Sequence, residues 1–222
     1  MEMMPYHPEL ELGGSTTEWV PLPNWEPLTG VNWKTGLPVL RGLRLTLREV
    51  AIEDAPALFA QLTTEEVARF ISPPPTSVSG FEKFVRWAHQ QRAAGQYACF
   101  AVVPAGQTTA VGLFQIRMLG TDGQTAEWGF ALGSAYWGTG LFLAGAHAAV
   151  NFAFAEIGVR RLEARACVAN GRGTAALRKL GAVREAVLHQ SFERHGERLD
   201  QALWTIACDD WRAATLWEGT VH

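Results

Sequence analysis

The chain has 222 residues, is 48% hydrophobic and carries a formal net charge of −3. That length suffices for one α/β domain with its own core, and the charge argues against a nucleic-acid coat. No apolar run reaches the roughly 18–20 residues that cross a bilayer, and residues 1–20 lack the basic start and apolar block of a signal peptide. A soluble, cytoplasmic protein is expected. The three cysteines, Cys99, Cys167 and Cys208, are far apart with no C-x-x-C. This argues against a disulfide framework and a structural zinc site, so no metal is expected.

Residues 1–40 hold six of the eleven prolines, together with Trp19, Trp25 and Trp33. They read as an irregular extension that packs on the domain or on a partner subunit, with a disordered tag as the bland alternative. The domain proper is expected over 41–212, with a tail over 213–222. Residues Leu43 to Arg48 alternate apolar and polar, a half-buried strand. Glu53-Asp54 opens a short helix carrying Ala57, Leu58 and Leu62. Thr63 and Glu66 have capping-box spacing for a second helix, which Pro73-Pro74-Pro75 must stop. Ser79 and Glu82 repeat that spacing, and Phe81, Phe84, Val85 and Ala88 fall on one helical face. Three strands follow, 97–103, 110–118 and 125–132, joined by turn residues into an antiparallel meander. A glycine turn then leads into a long helix, about 140–157. A basic strand at 160–168 precedes a short helix from Asn170 to Gly181. Two last strands, 183–193 and 199–208, pair across His195-Gly196. The order implies a mixed sheet with helices on its faces.

The turn Trp137-Gly138-Thr139-Gly140 lies between a strand and a helix. A helix N-terminus offers unpaired N–H groups and a partial positive charge, and glycine lets backbone approach phosphate closely. There is no G-x-x-x-x-G-K-[ST], so this is no P-loop. The next glycine after Gly140 is Gly145, so the dinucleotide fingerprint fails as well. Between Ile157 and Arg184 seven basic residues accompany one acid, Glu163. Such a basic stretch suits a polyanionic small ligand or is solvated surface.

Neighbouring motifs make the turn specific. They are Ala126-Glu127-Trp128-Gly129-Phe130 before it, then Asn170 and Leu177-Arg178-Lys179-Leu180-Gly181, then Asp200–Thr205 and Asp210-Trp211. Gly42-Leu43-Arg44-Leu45 and Glu53-Asp54-Ala55 open the series. Together, over about residues 41–212, they resemble the GNAT acetyltransferase superfamily, in particular its RimJ/RimL-type branch. The resemblance implies an α/β (α+β) fold: a mixed, mostly antiparallel sheet, helices on both faces, and splayed central parallel strands at 125–132 and 160–168. It also implies acetyl-coenzyme A as acyl donor and an amine acceptor. The pyrophosphate would sit on backbone amides of Trp137, Gly138, Thr139, Gly140 and Leu141. The pantetheine arm would follow Phe130, Ala131 and Leu132 and bond to Asn170, with Thr174 and Arg178 near the nucleotide end. A homodimer is compatible with this reading; nucleic acid and membrane are not expected.

The sequence departs from the family pattern at Ala135, where an Arg or Gln is usual, and at Ala144, Gly173, Leu177 and Ala182. The loss at Ala135 leaves the turn dependent on backbone amides. Those at Gly173 and Leu177 remove the family's candidate acids. For the base, Glu127 is the candidate, with burial expected to tune it; a strand-end ion pair is the bland reading. His147 reads as a core histidine, Cys167 as an inert buried thiol and Asp200 as a hairpin brace. Trp87, Trp128 and Trp137 read as core first and acceptor pocket second. The expected function is acetyl transfer to a primary amine, either a protein N-terminal α-amine or a small-molecule amine. The alternative is an acyl-coenzyme A-binding sensor or scaffold without turnover.

Overall fold

A computed structural model of the chain describes residues 32–194 and 196–218. The expectations for Trp19, Trp25 and the hairpin tip at His195 fall outside these residues. Among the described residues eight strands form one sheet. They are β1 (Leu40–Arg41), β2 (Leu45–Glu49), β3 (Tyr97–Pro104), β4 (Gly112–Leu119), β5 (Thr125–Leu132), β6 (Arg161–Cys167), β7 (Val183–Arg194) and β8 (Glu197–Ala207). Their spatial order is β1-β2-β3-β4-β5-β6-β8-β7, and only β5 and β6 run parallel.

Helices cover both faces. The first helix, α1, spans Ala55–Leu62, α2 Glu65–Ala68 and α3 Val78–Ala93. They bury Leu58, Leu62, Val67, Phe81 and Val85 against Tyr97, Cys99, Ala101, Leu113 and Ala131. The opposite face carries α4 (Leu141–Phe152, continued by a π turn to Ile157), α5 (Gly171–Lys179) and α6 (Cys208–Glu218). This second core holds Phe100, Phe114, Ala126, Trp128, Leu132 and Phe152. Side chains on a strand alternate between faces. The fully buried β3 therefore feeds both cores, Ala98, Phe100 and Val102 to one and Tyr97, Cys99 and Ala101 to the other. The helix α4 lies close on β4: a Cβ at Gly145 would stand 2.3 Å from the ring of Phe114.

Several boundaries differ from the sequence expectations. The cap of α2 is Thr64, whose hydroxyl accepts from Val67 N–H, while Thr63 instead donates to Phe59 O and ends α1. Likewise Ser77, not Ser79, caps α3 through Gly80 N–H. Adjacent hydroxyl residues compete for each cap, and the backbone path decides between them. The strand expected from Leu43 begins at Leu45, because Gly42–Arg44 form the bend that pairs β1 with β2. Trp33, Leu37 and Leu40, from the stretch read as extension, are buried in the α4-side core. The helix α6 runs across the boundary expected at residue 212. Trp211 pins it, its indole N–H donating to Asn151 Oδ1 at 2.7 Å and its ring lying 4.9 Å from His147.

The parallel pair positions the site. Its register covers Thr125↔Arg161, Ala126↔Leu162 and Glu127↔Glu163, and ends there. Past Glu127 the β6-facing edge of β5 has no strand partner among the described residues.

Candidate active site

The parting of β5 from β6 leaves a wedge whose mouth is the glycine turn. After β5 a short 3-10 turn, Ser134–Tyr136, delivers Trp137. Gly138 and Gly140 both have left-handed backbone, φ +73° and +83°, a region that costs other residues about 1–2 kcal/mol. Gly140 is the N-cap of α4, which has no side-chain cap and no acid in its first turn. Its first N–H groups thus remain available to an anion. The turn's shape is held by Trp137 Nε1, which donates to Leu132 O at 2.9 Å, and by Thr139 Oγ1, which donates to Tyr136 O at 2.7 Å.

Sequence reading placed no cationic side chain at this turn. The structure brings two. Arg44, from the bend before β2, donates to Thr139 O at 3.4 Å and lies beside Gly140. Arg172, at the start of α5, stacks 4.5 Å above the Trp137 ring. The sequence signal for Arg172 was the cluster of basic residues after Ile157; Arg44 stood within the Gly42–Leu45 motif, which gave no sign of a contact with the turn.

Asn170 is fully buried and caps α5, its Oδ1 accepting from Gly173 N–H at 2.5 Å. A Cβ at Gly173 would stand 2.5 Å from that same oxygen. The Asn170 side chain therefore fills the room a serine would need there. Its Nδ2 is buried without a partner among the described residues, and an unmet buried donor is costly. Thr174 donates its hydroxyl to Asn170 O and Gly171 O, so it serves the helix cap, while Arg178 is exposed in the last turn. Leu177 lies in the core, and no proton donor takes its place on α5. Phe130 packs on Phe142 of α4, ring centroids 4.3 Å apart, and Ala131 and Leu132 are buried on opposite faces.

Glu127 stands at the apex of the wedge, on the α1–α3 side. It is 4% exposed. Its carboxylate is gripped by Arg117 of β4 and by Arg165 of β6, the latter at 2.6 Å. The chain of charge continues across the sheet. Arg165 lies 3.8 Å from Glu163, Arg161 binds Glu163 at 2.9 Å, and Arg161 makes a bidentate pair with Glu185, at 2.8 and 2.6 Å. Glu185 also accepts from Thr205, and its carboxyl is held down to about 2, first by Arg161 and then by that hydroxyl. The environment of Glu127 is thus burial together with two guanidiniums.

The remaining singled-out residues have structural surroundings. Burial lowers the His147 pKa. Burial raises the Cys167 thiol. Asp200 accepts from Gln190 N–H and His189, bracing the irregular stretch of β7 where Gln190 has φ +51°. Those two bonds hold its carboxyl below the ordinary range. Trp87 packs at a tilt on Tyr97, ring centroids 4.9 Å apart, and Trp128 is buried against Phe130. Among the described residues no helix is long and apolar enough to cross a membrane, and no group of three metal-ligating side chains occurs.

An uncapped helix start, a strand edge without a partner and an unmet buried amide fit a ligand with phosphate at one end and an extended polyamide arm. The comparisons agree. The acetyltransferase (GNAT) domain model matches residues 44–183. The N-acetyltransferase p20 of Bacillus licheniformis, itself uncharacterised, is 24% identical over 164 residues, 73% of this chain and 92% of that one. Among solved structures, Mycobacterium smegmatis RimJ in complex with a coenzyme A disulfide has a TM-score of 0.70 at 20% identity, covering 79% of this chain and 88% of that one. RimL, a ribosomal L7/L12 α-N-protein acetyltransferase in complex with coenzyme A, has a TM-score of 0.70 at 18% identity, covering 78% and 99%. The chain belongs to the GNAT acetyltransferase family, and it is an N-acetyltransferase that draws its acetyl group from acetyl-coenzyme A.

Proposed function

We propose that the acceptor is an α-amine, on a protein N-terminus or a small molecule, and that Glu127 orients it. The observation that carries this reading is the grip of Arg117 and Arg165 on the Glu127 carboxylate. Oxygens already committed to two guanidiniums are suited to accept a hydrogen bond from the amine and fix its approach, more than to carry its proton away. An α-amine has a pKa near 7.7–8.0, so roughly a fifth is neutral near pH 7, whereas a lysine near 10.4 is neutral only about one part in a thousand. The α-amine needs orientation; the lysine needs a strong base as well. RimL, an α-N-protein acetyltransferase, points the same way.

Within this reading Gly138, Thr139, Gly140 and Leu141 hold the pyrophosphate through backbone N–H groups, while Trp137, whose own N–H donates to Ser134 O at 3.1 Å, borders it. Phe130, Ala131 and Leu132 line the arm with backbone, Asn170 Nδ2 meets one of its oxygens, and Thr174 and Arg178 border the nucleotide. Bound acetyl-coenzyme A supplies an electrophilic thioester carbonyl. The amine nitrogen bonds to the acetyl carbon as the C–S bond breaks; the amine proton passes to water beside Glu127, and water protonates the leaving thiolate. The enzyme works in the cytoplasm, without nucleic acid, as a monomer or homodimer; net charge −3 and free, buried cysteines among the described residues support that setting.

A coenzyme A release assay with paired acceptors tests the function. Peptides with a free N-terminus should turn over, and N-terminally blocked peptides with a free lysine should lag by about a hundredfold or more. Glu127→Gln should lower kcat/KM about tenfold and raise KM for the amine. Binding without thiol release for every amine would favour the sensor or scaffold instead. Full activity in Glu127→Gln would remove the residue from the mechanism.

A further inference from the structure

The glycine turn departs from the family pattern at Ala135, and that side chain is exposed and uncharged. Backbone amides alone would then face the two negative charges of a diphosphate. Arg44 and Arg172 change this balance. Arg44 is the first residue matched by the family model, and it stands in the bend that β1 makes on entering β2. Ala105 N–H donates to its carbonyl at 2.8 Å and fixes the backbone there. Its guanidinium reaches across 95 residues of sequence to Thr139 O. That long bond is the only one its side chain makes among the described residues, and a guanidinium has five N–H donors. Arg172 approaches from α5. Its guanidinium carbon lies 4.5 Å from the centre of the Trp137 ring, a cation–π contact that fixes the charge beside the turn. No acid lies in the first turn of α4 or of α5.

Resting on the acyl-donor site described above, we propose that Arg44 and Arg172 bracket the glycine turn and together grip the diphosphate of the donor. Arg44 acts at the Gly140 end and Arg172 at the Trp137 end. They restore from distant segments the cation that position 135 lacks. The bracket also ties donor binding to the β1–β2 bend, a segment outside the wedge itself.

Isothermal titration of the full chain with coenzyme A, dephospho-coenzyme A and 4′-phosphopantetheine tests this. Arg44→Gln and Arg172→Gln should each weaken coenzyme A about tenfold, the worth of one charge-assisted hydrogen bond. Dephospho-coenzyme A should weaken by the same factor, because its diphosphate is intact. The salt dependence of binding should become shallower in both variants. Arg44→Lys and Arg172→Lys should recover part of the affinity, and they keep the test open if a glutamine variant fails to fold. Arg160→Gln, at an exposed pair with Asp209, controls for net charge and should bind as wild type. Folded glutamine variants that bind coenzyme A within about twofold of wild type would overturn the bracket. So would a loss seen with coenzyme A but absent with dephospho-coenzyme A, which would move the arginines to the 3′-phosphate. Failure of the wild-type chain to bind coenzyme A would instead overturn the acyl-donor site itself.

Discussion

At its C-terminal end β5 runs into open glycines whose donors are main-chain amides. Near its N-terminal end the same strand carries Glu127, held by side chains from β4 and β6. The donor end is shaped by the backbone conformation of the glycine turn, with Arg44 and Arg172 brought beside it from other elements. The acceptor end is a lattice of charges in which each member fixes its neighbours. Removing one leaves others unpaired. Substitutions at the two ends should therefore fail in different ways.

The sharpest break is Glu127→Ala. It leaves Arg117 and Arg165 facing each other without their shared partner. Stability should fall by about 2 kcal/mol, discounted because both arginines are about a third exposed. The melting temperature should drop by about 6 °C, while folded protein keeps its affinity for coenzyme A. Loss of coenzyme A binding by that variant would merge the two ends into one. The converse is Gly140→Ala, which forces a side chain into left-handed backbone at φ +83°. It should weaken coenzyme A about tenfold with the amine KM unchanged, read by titration and by initial rates.

The smallest effect is acid sensitivity. Glu185 has its pKa depressed from 4.5 to about 2 by Arg161 and Thr205. A depressed carboxyl stabilises the fold above its unfolded value, and that contribution is lost as pH falls from about 4.5 toward 2. Glu185→Gln should flatten the acid limb of melting temperature against pH in that window. An unchanged limb would show that the outer pair adds nothing to the lattice.

Much of this was written locally in the chain. Strand alternation, the 3.6-residue face of α3 and the glycine turn each need only neighbouring residues, and the strand expected at 125–132 spans those residues in the structure. What escaped the sequence were contacts made at a distance. Arg165 reaches Glu127 across 38 positions, and Arg44 reaches the turn from another element altogether. No local pattern announces such pairs. The helix α6 escaped for the same reason. What seats it is Trp211 on Asn151 and His147 of α4.

The parting of β5 and β6 also bears on the fate of the protein between turnovers. A bare strand edge is a template for any extended chain, and a notch that admits a slim polyamide admits a peptide too. Donor that binds the native state alone stabilises it by mass action. The supply of acetyl-coenzyme A would set how fast the enzyme works and also how well it resists aggregation and proteolysis.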